Sequence, residues 1–360
     1  MKRNYFLNSK LYKFLNLFLI LTILPSAIFL LFSFEGCKSP TGPVELQPGR
    51  RDYTWTVDTL NVPYTVLESI WGSSPTDVWV VGPGGDKDKT IYHYNGQKWV
   101  NDGISRPLAP AAVFGFSQSD VWFGSYGNTI WHYDGNTLSK FQDYTIPNYP
   151  YAGIQNFWGD NPNNVYAVGF ADSNNIIRGV IQHFYNSQWN IVYISPLISV
   201  YEVFIFIYKG NSTDNNYYLL SYYGVDADTA KIYEYDGNNK LKGIYSSPAS
   251  QAGLALINNE VFFILGNQIC SRQNNAFNTL FTVPGNNFLH GIGGRNKDDI
   301  ILEMTDGIAH YNGSDVEYLY HFNHPNISIF GTPVIFEKEV FILAYDFQNN
   351  LNLIFRGKLN

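Results

Sequence analysis

The sequence predicts an all-β fold, a seven-bladed β-propeller, on three observations. An aromatic phrase recurs at intervals of roughly 40 to 50 residues, which is the period of propeller blades. Dipeptides such as Asn95-Gly96 and Asp134-Gly135, which favour two-residue hairpin turns, separate the aromatic segments. The 360 residues are 45% hydrophobic and 17% aromatic, so the chain has enough apolar side chains for a large core.

The first copy of the phrase runs from Ser69 to Trp99 and predicts four antiparallel strands for each copy. The fifth copy is the weakest, because 267–270 lacks the aromatic and glycine signals, so a six-bladed ring with one aberrant hairpin stays open as an alternative. The second strands of the seven copies are predicted to begin near Val78, Val121, Val165, Tyr217, Val261, Ile300 and Val340.

The two ends of the repeat region are predicted to share one blade. The last copy stops at Asn360, after its third strand, whereas 53–57 alternates like an outer strand and is similar to 98–101. We therefore expect this N-terminal strand to complete the last blade and close the ring, because closure leaves no open sheet edge. The propeller domain is predicted to span residues 53–360.

Residues 1–36 have the features of a signal peptide, a basic start followed by an apolar run. The end of this segment resembles a bacterial lipoprotein signal, in which a small residue precedes a cysteine, and Gly36 and Cys37 match that pattern. The resemblance implies that Cys37 is acylated and anchors the protein to the lipid bilayer of the bacterial cell envelope, at the outer membrane or cell surface. Phe34 and Glu35 depart from the pattern, and an uncleaved membrane helix is the alternative.

Residues 37–52 are predicted to be the lipidated cysteine and a flexible tether rich in proline and glycine. The net charge is −7, and four basic residues precede Cys37, so the propeller is more acidic than the whole chain. This charge argues against a nucleic-acid partner. Cys37 and Cys270 are the two cysteines of the sequence, so acylation of Cys37 leaves no pair for an intramolecular disulfide.

Residues that recur at one position of the repeat are interpreted as scaffold, because a catalytic group is needed only once. The eight tryptophans are predicted to pack between blades, and four histidines to be satisfied strand residues. Acidic or amide residues at the start of the second strands are predicted to cap backbone amides of the preceding turn. The histidines are His93, His132, His183 and His310, and the turn residues are Asp77, Asp120, Asn164 and Asp299.

The candidate binding site lies where the repeat varies, in the loops between second and third strands and in the connections between blades, which share one face. The acidic pairs in two of these loops offer alternate oxygen ligands as calcium loops do, but they lack the following glycine and distant glutamate. A solvated acidic loop is therefore favoured over Ca²⁺ binding, and no cofactor is expected. The candidate ligand-binding residues are Asp86, Asp88, Arg106, Tyr149, Tyr151, Arg178, Tyr222, Tyr223, Asp226 and Asp228.

The phrase Trp-Gly, Asp-Val-Trp, His-Tyr-Asn/Asp-Gly and Trp resembles the repeats of secreted bacterial propeller proteins, which are loosely similar to kelch, galactose-oxidase-like and sialidase-like propellers. The resemblance implies the fold and a cell-envelope setting. The sequence contains neither the sialidase Asp-box nor a recognisable copper or quinone site. No catalytic residue is therefore carried over.

These observations favour a non-catalytic binding module whose propeller face binds a glycan, a peptide or a partner protein. The alternative is a glycan-active hydrolase or lyase that uses loop carboxylates, which requires two acids roughly 5 to 9.5 Å apart. A structural role in an envelope assembly is a third hypothesis.

Overall fold

The computed structural model of the protein describes residues 49–60, 62, 65–196, 201–210, 216–224 and 226–360. The predicted signal peptide, Cys37 and most of the predicted tether lie outside the described residues. Within them, no helix is long and apolar enough to span a bilayer.

The described residues form seven antiparallel sheets of four strands each. This confirms the predicted seven-bladed propeller, and the six-bladed alternative is wrong because the weak fifth copy forms a complete sheet. The strands are β1 (Tyr53–Leu60); blade I, β2 (Ser69–Ser74), β3 (Asp77–Val81), β4 (Ile91–Tyr94) and β5 (Trp99–Val100); blade II, β6 (Pro110–Ser117), β7 (Asp120–Ser125), β8 (Thr129–Tyr133) and β9 (Leu138–Asp143); blade III, β10 (Tyr151–Asn161), β11 (Asn164–Ser173), β12 (Ile176–Tyr185) and β13 (Gln188–Ile194).

The second half of the chain continues in the same order, with one short 3₁₀ turn (Ala249–Gln251) between blades IV and V. The strands are blade IV, β14 (Glu202–Lys209), β15 (Tyr217–Tyr223), β16 (Thr229–Tyr235) and β17 (Leu241–Pro248); blade V, β18 (Ala252–Ile257), β19 (Glu260–Leu265), β20 (Gln268–Gln273) and β21 (Ala276–Thr282); blade VI, β22 (Phe288–Asn296), β23 (Asp299–Met304), β24 (Gly307–Tyr311) and β25 (Val316–His321); blade VII, β26 (Ile327–Ile335), β27 (Glu339–Asp346) and β28 (Leu351–Leu359).

Strand β1 is the outer strand of blade VII. It pairs antiparallel with β28, from Tyr53 opposite Leu359 to Leu60 opposite Asn352, in the sheet order β1-β28-β27-β26. The indole of Trp55 lies over Gly357, where an added Cβ would come within 2.9 Å of the ring. The segment predicted to be an outer strand therefore occupies that position.

The second strand of each blade lies in the core. Every residue of β3, β23 and β27 is buried, since neighbouring blades cover both faces of these apolar strands. The tryptophans pack between blades as predicted: the ring of Trp79 in blade I lies 5.6 Å from Phe123 and 5.2 Å from Tyr133 of blade II. Aromatic contacts of this kind stabilise one blade against the next.

Antiparallel pairing gives the propeller two different faces. The turn face carries the connections from first to second strands and from third to fourth strands. The loop face carries the connections from second to third strands and those between blades. Each first strand therefore begins at the loop face and ends at the turn face.

The four repeated histidines accept or donate one hydrogen bond each to the residue that begins the second strand. The Nε2 to Oδ1 distances are 2.6 Å for His93 and Asp77, 2.7 Å for His132 and Asp120, 2.7 Å for His183 and Asn164, and 2.8 Å for His310 and Asp299. The histidines are thus strand residues that bond to the second strand, and of their ring nitrogens Nδ1 of His310 is buried without a partner among the described residues.

The predicted turn-capping role of Asp77, Asp120, Asn164 and Asp299 is wrong. Their oxygens face the third strand, where the histidines lie. The turn amides are instead capped by polar side chains three residues earlier, which lie within the turn itself and so reach the amide two residues ahead. The capping residues are Ser74, Ser117, Asn161 and Asn296.

Candidate functional site at the mouth of the central channel

The first strands of the blades surround a central channel, in which the described residues line two cavities. The larger, about 460 Å³, is lined by the first strands of blades I to V and VII and combines aromatic rings with the polar side chains of Glu68, Gln155 and Asn156. The smaller, about 160 Å³, lies among blades IV, V and VI. Both cavities are bounded by Phe206 and Thr332, so they adjoin each other.

Irregular backbone in two first strands shapes these cavities. In blade VI the register jumps from Phe288 opposite Met304 to Ile292 opposite Leu302, so that three residues of β22 face Glu303 alone. In blade VII a similar jump occurs between Phe330 and Val334. Bulges of this kind bend a strand and redirect its side chains, and they are common beside functional sites.

Glu303 is the buried carboxyl of the smaller cavity. Its residue is 7% exposed, and Oε1 has no hydrogen-bond partner among the described residues. Desolvation by burial raises the pKa of this carboxyl to about 8. A Cβ at Gly291 would lie 2.0 Å from Oε2, so glycine is needed for the bulge to approach the carboxyl. Glu303 is therefore protonated at neutral pH.

His290 lines the same cavity from the bulge of β22. Its φ is +65°, a left-handed conformation that is uncommon for a residue with a side chain. Burial lowers the pKa of its imidazole, because desolvation disfavours the charged ring. The cavity therefore holds a neutral imidazole and a neutral carboxyl at pH 7.

An aromatic cluster forms the opposite side of the channel mouth. The rings of Tyr126 and Tyr151 lie 5.7 Å and 5.9 Å from the ring of Phe170, and Gln155 Nε2 donates to the Tyr126 hydroxyl at 2.8 Å. Burial, and then the nearby charge of Glu68, raise the pKa of Tyr126 to about 12. These phenol groups stay neutral donors and acceptors over the physiological pH range.

Tyr208 limits the depth of the larger cavity. It is buried near the end of β14, and burial raises its pKa to about 12, although hydrogen bonds with Thr332 and Asn156 act in the opposite direction. These partners belong to blades VII and III. Tyr208 thus ties three blades together across the channel below the mouth.

Two of the ten predicted binding residues lie at this mouth. Tyr151 is 42% exposed and belongs to the aromatic cluster, and Tyr222 lines the smaller cavity. Tyr149 is half-buried and packs against the blade II and III core, and the Tyr223 ring lies beneath the Lys231 ammonium, 3.1 Å from the ring centroid.

The other predicted residues lie away from the mouth. Asp86 pairs with Lys89, and Arg106 pairs with Asp102 at 2.6 Å, so each stabilises its own loop. The remaining residues are Asp88, beside a cavity of about 10 Å³, Asp226 and Asp228, both exposed, and Arg178, which is buried and donates to the Pro196 carbonyl. Among the described residues, no three histidine, cysteine, aspartate or glutamate side chains are grouped to hold a metal.

The sequence analysis missed Glu68, Tyr126, His290 and Glu303. For Glu303 a signal was available. It stands five residues into its second strand, where the pairing registers place an apolar residue or glycine in every other blade. Those residues are Val81, Gly124, Val168, Leu220, Ile264 and Leu343.

Solved structures share the propeller fold. YCF48 bound to D1 peptide aligns with a TM-score of 0.58 at 14% identity, over 86% of this chain and 99% of that chain. A catalytically inactive virginiamycin B lyase from Staphylococcus aureus, solved with quinupristin, aligns with a TM-score of 0.61 at 16% identity, over 84% of this chain and 99% of that chain. One neighbour binds a peptide and the other is a lyase, so the likeness shows the fold alone.

No family model matches the chain, and no curated protein matches it by sequence.

Proposed function

We propose that the protein is a peptide-binding propeller whose site is the channel mouth on the loop face. The observation that carries the proposal is the mouth itself, an aromatic wall beside a buried carboxyl over two adjoining cavities. Concave, largely apolar sites with a few convergent polar groups are typical of ligand binding. The peptide bound by the neighbour YCF48 is consistent with such a ligand.

Exposed apolar side chains support the choice of face. Four of the large exposed hydrophobic residues lie on the loop face, and Tyr151 and Leu289 border the mouth at 42% and 40% exposure. Apolar groups that stay in solvent at the rim of a cavity are characteristic of protein interaction sites. The other two on this face are Ile104 and Phe347.

The loop face is also acidic. Its described connections carry Lys87, Lys89 and Arg106 as their basic side chains, and two of these pair with loop acids. The resulting field attracts cationic ligands and repels anionic ones. The acidic side chains are Glu68, Asp86, Asp88, Asp102, Asp226, Asp228 and Asp306.

The proposal places this binding face at a bacterial cell envelope, with acylated Cys37 as the anchor. Gly36-Cys37 at the end of the apolar segment supports it. Cys37→Ala is expected to abolish labelling of the chain by a radioactive fatty acid and to release it from membranes. Retention of the variant in membranes with an unshortened N-terminus would support the membrane-helix alternative instead.

The enzymatic alternative receives no support from the loop acids. Asp86, Asp226 and Asp228 are exposed, and the cavity beside Asp88 is far too small for a sugar ring. A glycosidase needs two carboxyl groups flanking a bound sugar.

A peptide panel tests the proposed function. The full chain in non-ionic detergent is titrated into fluorescein-labelled unstructured peptides that span acidic, neutral and basic compositions, with an array of bacterial glycans in parallel. We expect micromolar binding of at least one peptide class. Tyr151→Ala combined with Leu289→Ala is expected to weaken it by tenfold or more, because both side chains border the mouth.

The matched control combines Tyr185→Ala with Leu280→Ala. Each of these side chains is 39% exposed, but Tyr185 lies at a turn-face hairpin and Leu280 lies on an outer strand. Binding should survive in the control variant. Failure of every peptide to bind, equal losses in both variants, or binding of glycans alone would each refute a peptide site at the mouth.

A further inference from the structure

The cavity around Glu303 contains a polar group without a partner. Oε1 is buried and makes no hydrogen bond among the described residues, and no charged group contributes to the shift of the carboxyl. A buried polar group left unsatisfied destabilises the fold. Such a group, where it lines a cavity, indicates a site at which a ligand could make the hydrogen bond.

The walls of the cavity are suited to an alkyl chain. Aliphatic and aromatic side chains of blades IV, V and VI surround the carboxyl, among them Leu220, Leu254, Ile292 and Phe206. A dry engineered cavity of about 150 Å³ accommodates benzene, so the volume here, about 160 Å³, is adequate for a short aliphatic chain.

Each polar side chain of the cavity can accept a hydrogen bond, because hydroxyl oxygens, one nitrogen of a neutral imidazole and carboxyl oxygens carry free lone pairs. Among the described residues, His290 and Tyr222 are the other titratable groups that line it, and no described lysine or arginine does. Burial keeps the His290 imidazole neutral, since its pKa is lowered, and burial raises the pKa of Tyr222. A neutral imidazole offers one acceptor nitrogen, and a carboxylate offers two acceptor oxygens. The complementary ligand is a compact cation with several N–H donors.

The backbone holds these acceptors in a strained arrangement. The left-handed conformation of His290 and the approach of Gly291 to the carboxyl both lie within the three-residue bulge of β22. Strain of this kind persists where the surrounding structure imposes it and is concentrated at ligand sites.

We infer, resting on the peptide-binding function proposed above, that the cavity binds a primary alkylammonium group of the peptide, with Glu303 as its counter-ion and His290 as a second acceptor. The group is either a lysine side chain or an N-terminal amine, which share this chemistry.

Binding is coupled to loss of a proton. In the free protein at pH 7 the Glu303 carboxyl holds its proton, since its pKa is about 8. The entering ammonium pairs with the carboxylate, so the O–H bond breaks and the proton passes to the buffer. The apparent dissociation constant should therefore fall about tenfold per pH unit between pH 6 and 7 and level off above pH 8.

Calorimetric titration of the full chain with n-butylammonium chloride tests the inference. At pH 7, in two buffers of different ionisation enthalpy, we expect one site and release of about one proton. Glu303→Gln should abolish both the binding and the proton release. Glu260→Gln, which changes an exposed acid at the turn-face start of β19, should leave both unchanged. Acetyl-lysine amide and leucine amide then distinguish the side-chain amine from the N-terminal amine.

Three results would overturn the inference: no binding of n-butylammonium, binding without proton release, or equal binding of n-butanol, which has no charge. The proton count needs no variant, so it stands even if Glu303→Gln fails to fold. Butylammonium binding by a chain that binds no peptide would refute the proposed function and leave the cavity assignment standing. If the affinity for peptides changes neither with loss of lysine or of the N-terminal amine nor in Glu303→Gln, the cavity assignment is refuted and the proposed function stands.

Discussion

The turn face and the loop face of this propeller use buried carboxyl groups in opposite ways. On the turn face, Asp299 lies between His310 and Arg295, at 2.8 Å and 3.0 Å, so its carboxylate is paired. On the loop face, Glu303 lies four residues further along the same strand, and its Oε1 has none among the described residues. One strand thus carries a satisfied acid at one end and an unsatisfied acid at the other.

The difference separates groups that hold the blades together from groups available to a ligand. Burial raises the pKa of Asp299, but hydrogen bonds from His310 and the charges of Arg295 and His310 outweigh it, so that pKa lies below its ordinary value. For Glu303 the described residues supply no such compensation, and desolvation raises its pKa. The turn-face acid is ionised and structural, whereas the loop-face acid is neutral until a cation arrives.

At the turn face, the residues that form the polar contact between second and third strands differ from blade to blade. In blade VII, register places Glu339 at the position of Asp77 and Arg356 at the position of His93, and these two form an ion pair. In blade III, Asn164 replaces the aspartate and still bonds to His183 at 2.7 Å. Blades I, II, III, VI and VII therefore share a polar contact between second and third strands, although the residues differ.

Removal of the satisfied acid should produce the largest loss of stability. Asp299→Ala leaves the buried His310 and the half-buried Arg295 without their carboxylate, and loss of one partner from a buried pair costs about 3–5 kcal/mol. Urea denaturation at pH 7 measures the change. Asp102→Ala, which removes an exposed loop-face partner of Arg106, should cost about 0–1 kcal/mol. Equal losses in both variants would mean that the two faces do not differ in this way.

Replacement of Glu303, the unsatisfied acid, should make the protein increasingly more stable than the parent as pH rises. Because the folded-state pKa of Glu303 is raised to about 8, its contribution to stability is fully present below the unfolded pKa and is lost as pH rises towards 8. The stability of Glu303→Gln relative to the parent should therefore increase by about 1.4 kcal/mol per pH unit between about pH 4.5 and 8. Urea denaturation at pH 5, 6.5 and 8 gives this slope.

The comparison variant is Glu68→Gln. Burial also raises the pKa of Glu68, but this residue is only half-buried, so its slope should be confined to a narrower and more acidic range. A flat difference for Glu303→Gln across pH would show that the carboxyl is solvated in the folded state and would remove the contrast between the faces.

The repeat made the fold predictable, whereas the site lay in departures from the repeat. The spacing of Val78, Val121 and their equivalents was sufficient for seven blades, because each blade must bury the same apolar second strand. The bulges at 289–291 and 331–333 were not predictable, since register depends on pairing between strands rather than on local pattern. Loop composition therefore drew attention to Asp86 and Asp226, which lie away from the mouth, while the channel residues were missed.

A smaller loss of stability is expected for substitution of Asp77, the first of the turn-face acids along the chain. Burial raises the pKa of Asp77, but hydrogen bonds from His93, Ser73 and Trp79 outweigh it and leave the pKa lowered. A carboxylate whose pKa is lowered in the folded state contributes stability that is present above about pH 4. This contribution is lost as pH falls through the folded-state pKa. Asp77→Asn should cost about 1 kcal/mol at pH 7, because an amide accepts weaker hydrogen bonds than a carboxylate.

The cost of Asp77→Asn should shrink as pH falls below about 4, where the parent carboxylate is itself protonated. Acid denaturation curves of both proteins give this difference. Asn164 is a natural precedent for the substitution, since it makes the same contact in blade III. A cost that stays constant down to pH 2 would mean that the side chain acts by shape and not by charge.

The smallest effect on stability is expected for the exposed loop-face acids. Asp226→Asn combined with Asp228→Asn changes two exposed side chains of the connection between β15 and β16, and such surface changes usually alter stability by less than about 0.5 kcal/mol. The same double variant removes two negative charges from the acidic face, so it should slow association of basic peptides, and added salt should reduce that difference because screening weakens the long-range field. Stopped-flow fluorescence at 20 and about 150 mM ionic strength measures the effect. A change in dissociation rate without a change in association rate would place these acids in direct contact with the ligand instead of at a distance from it.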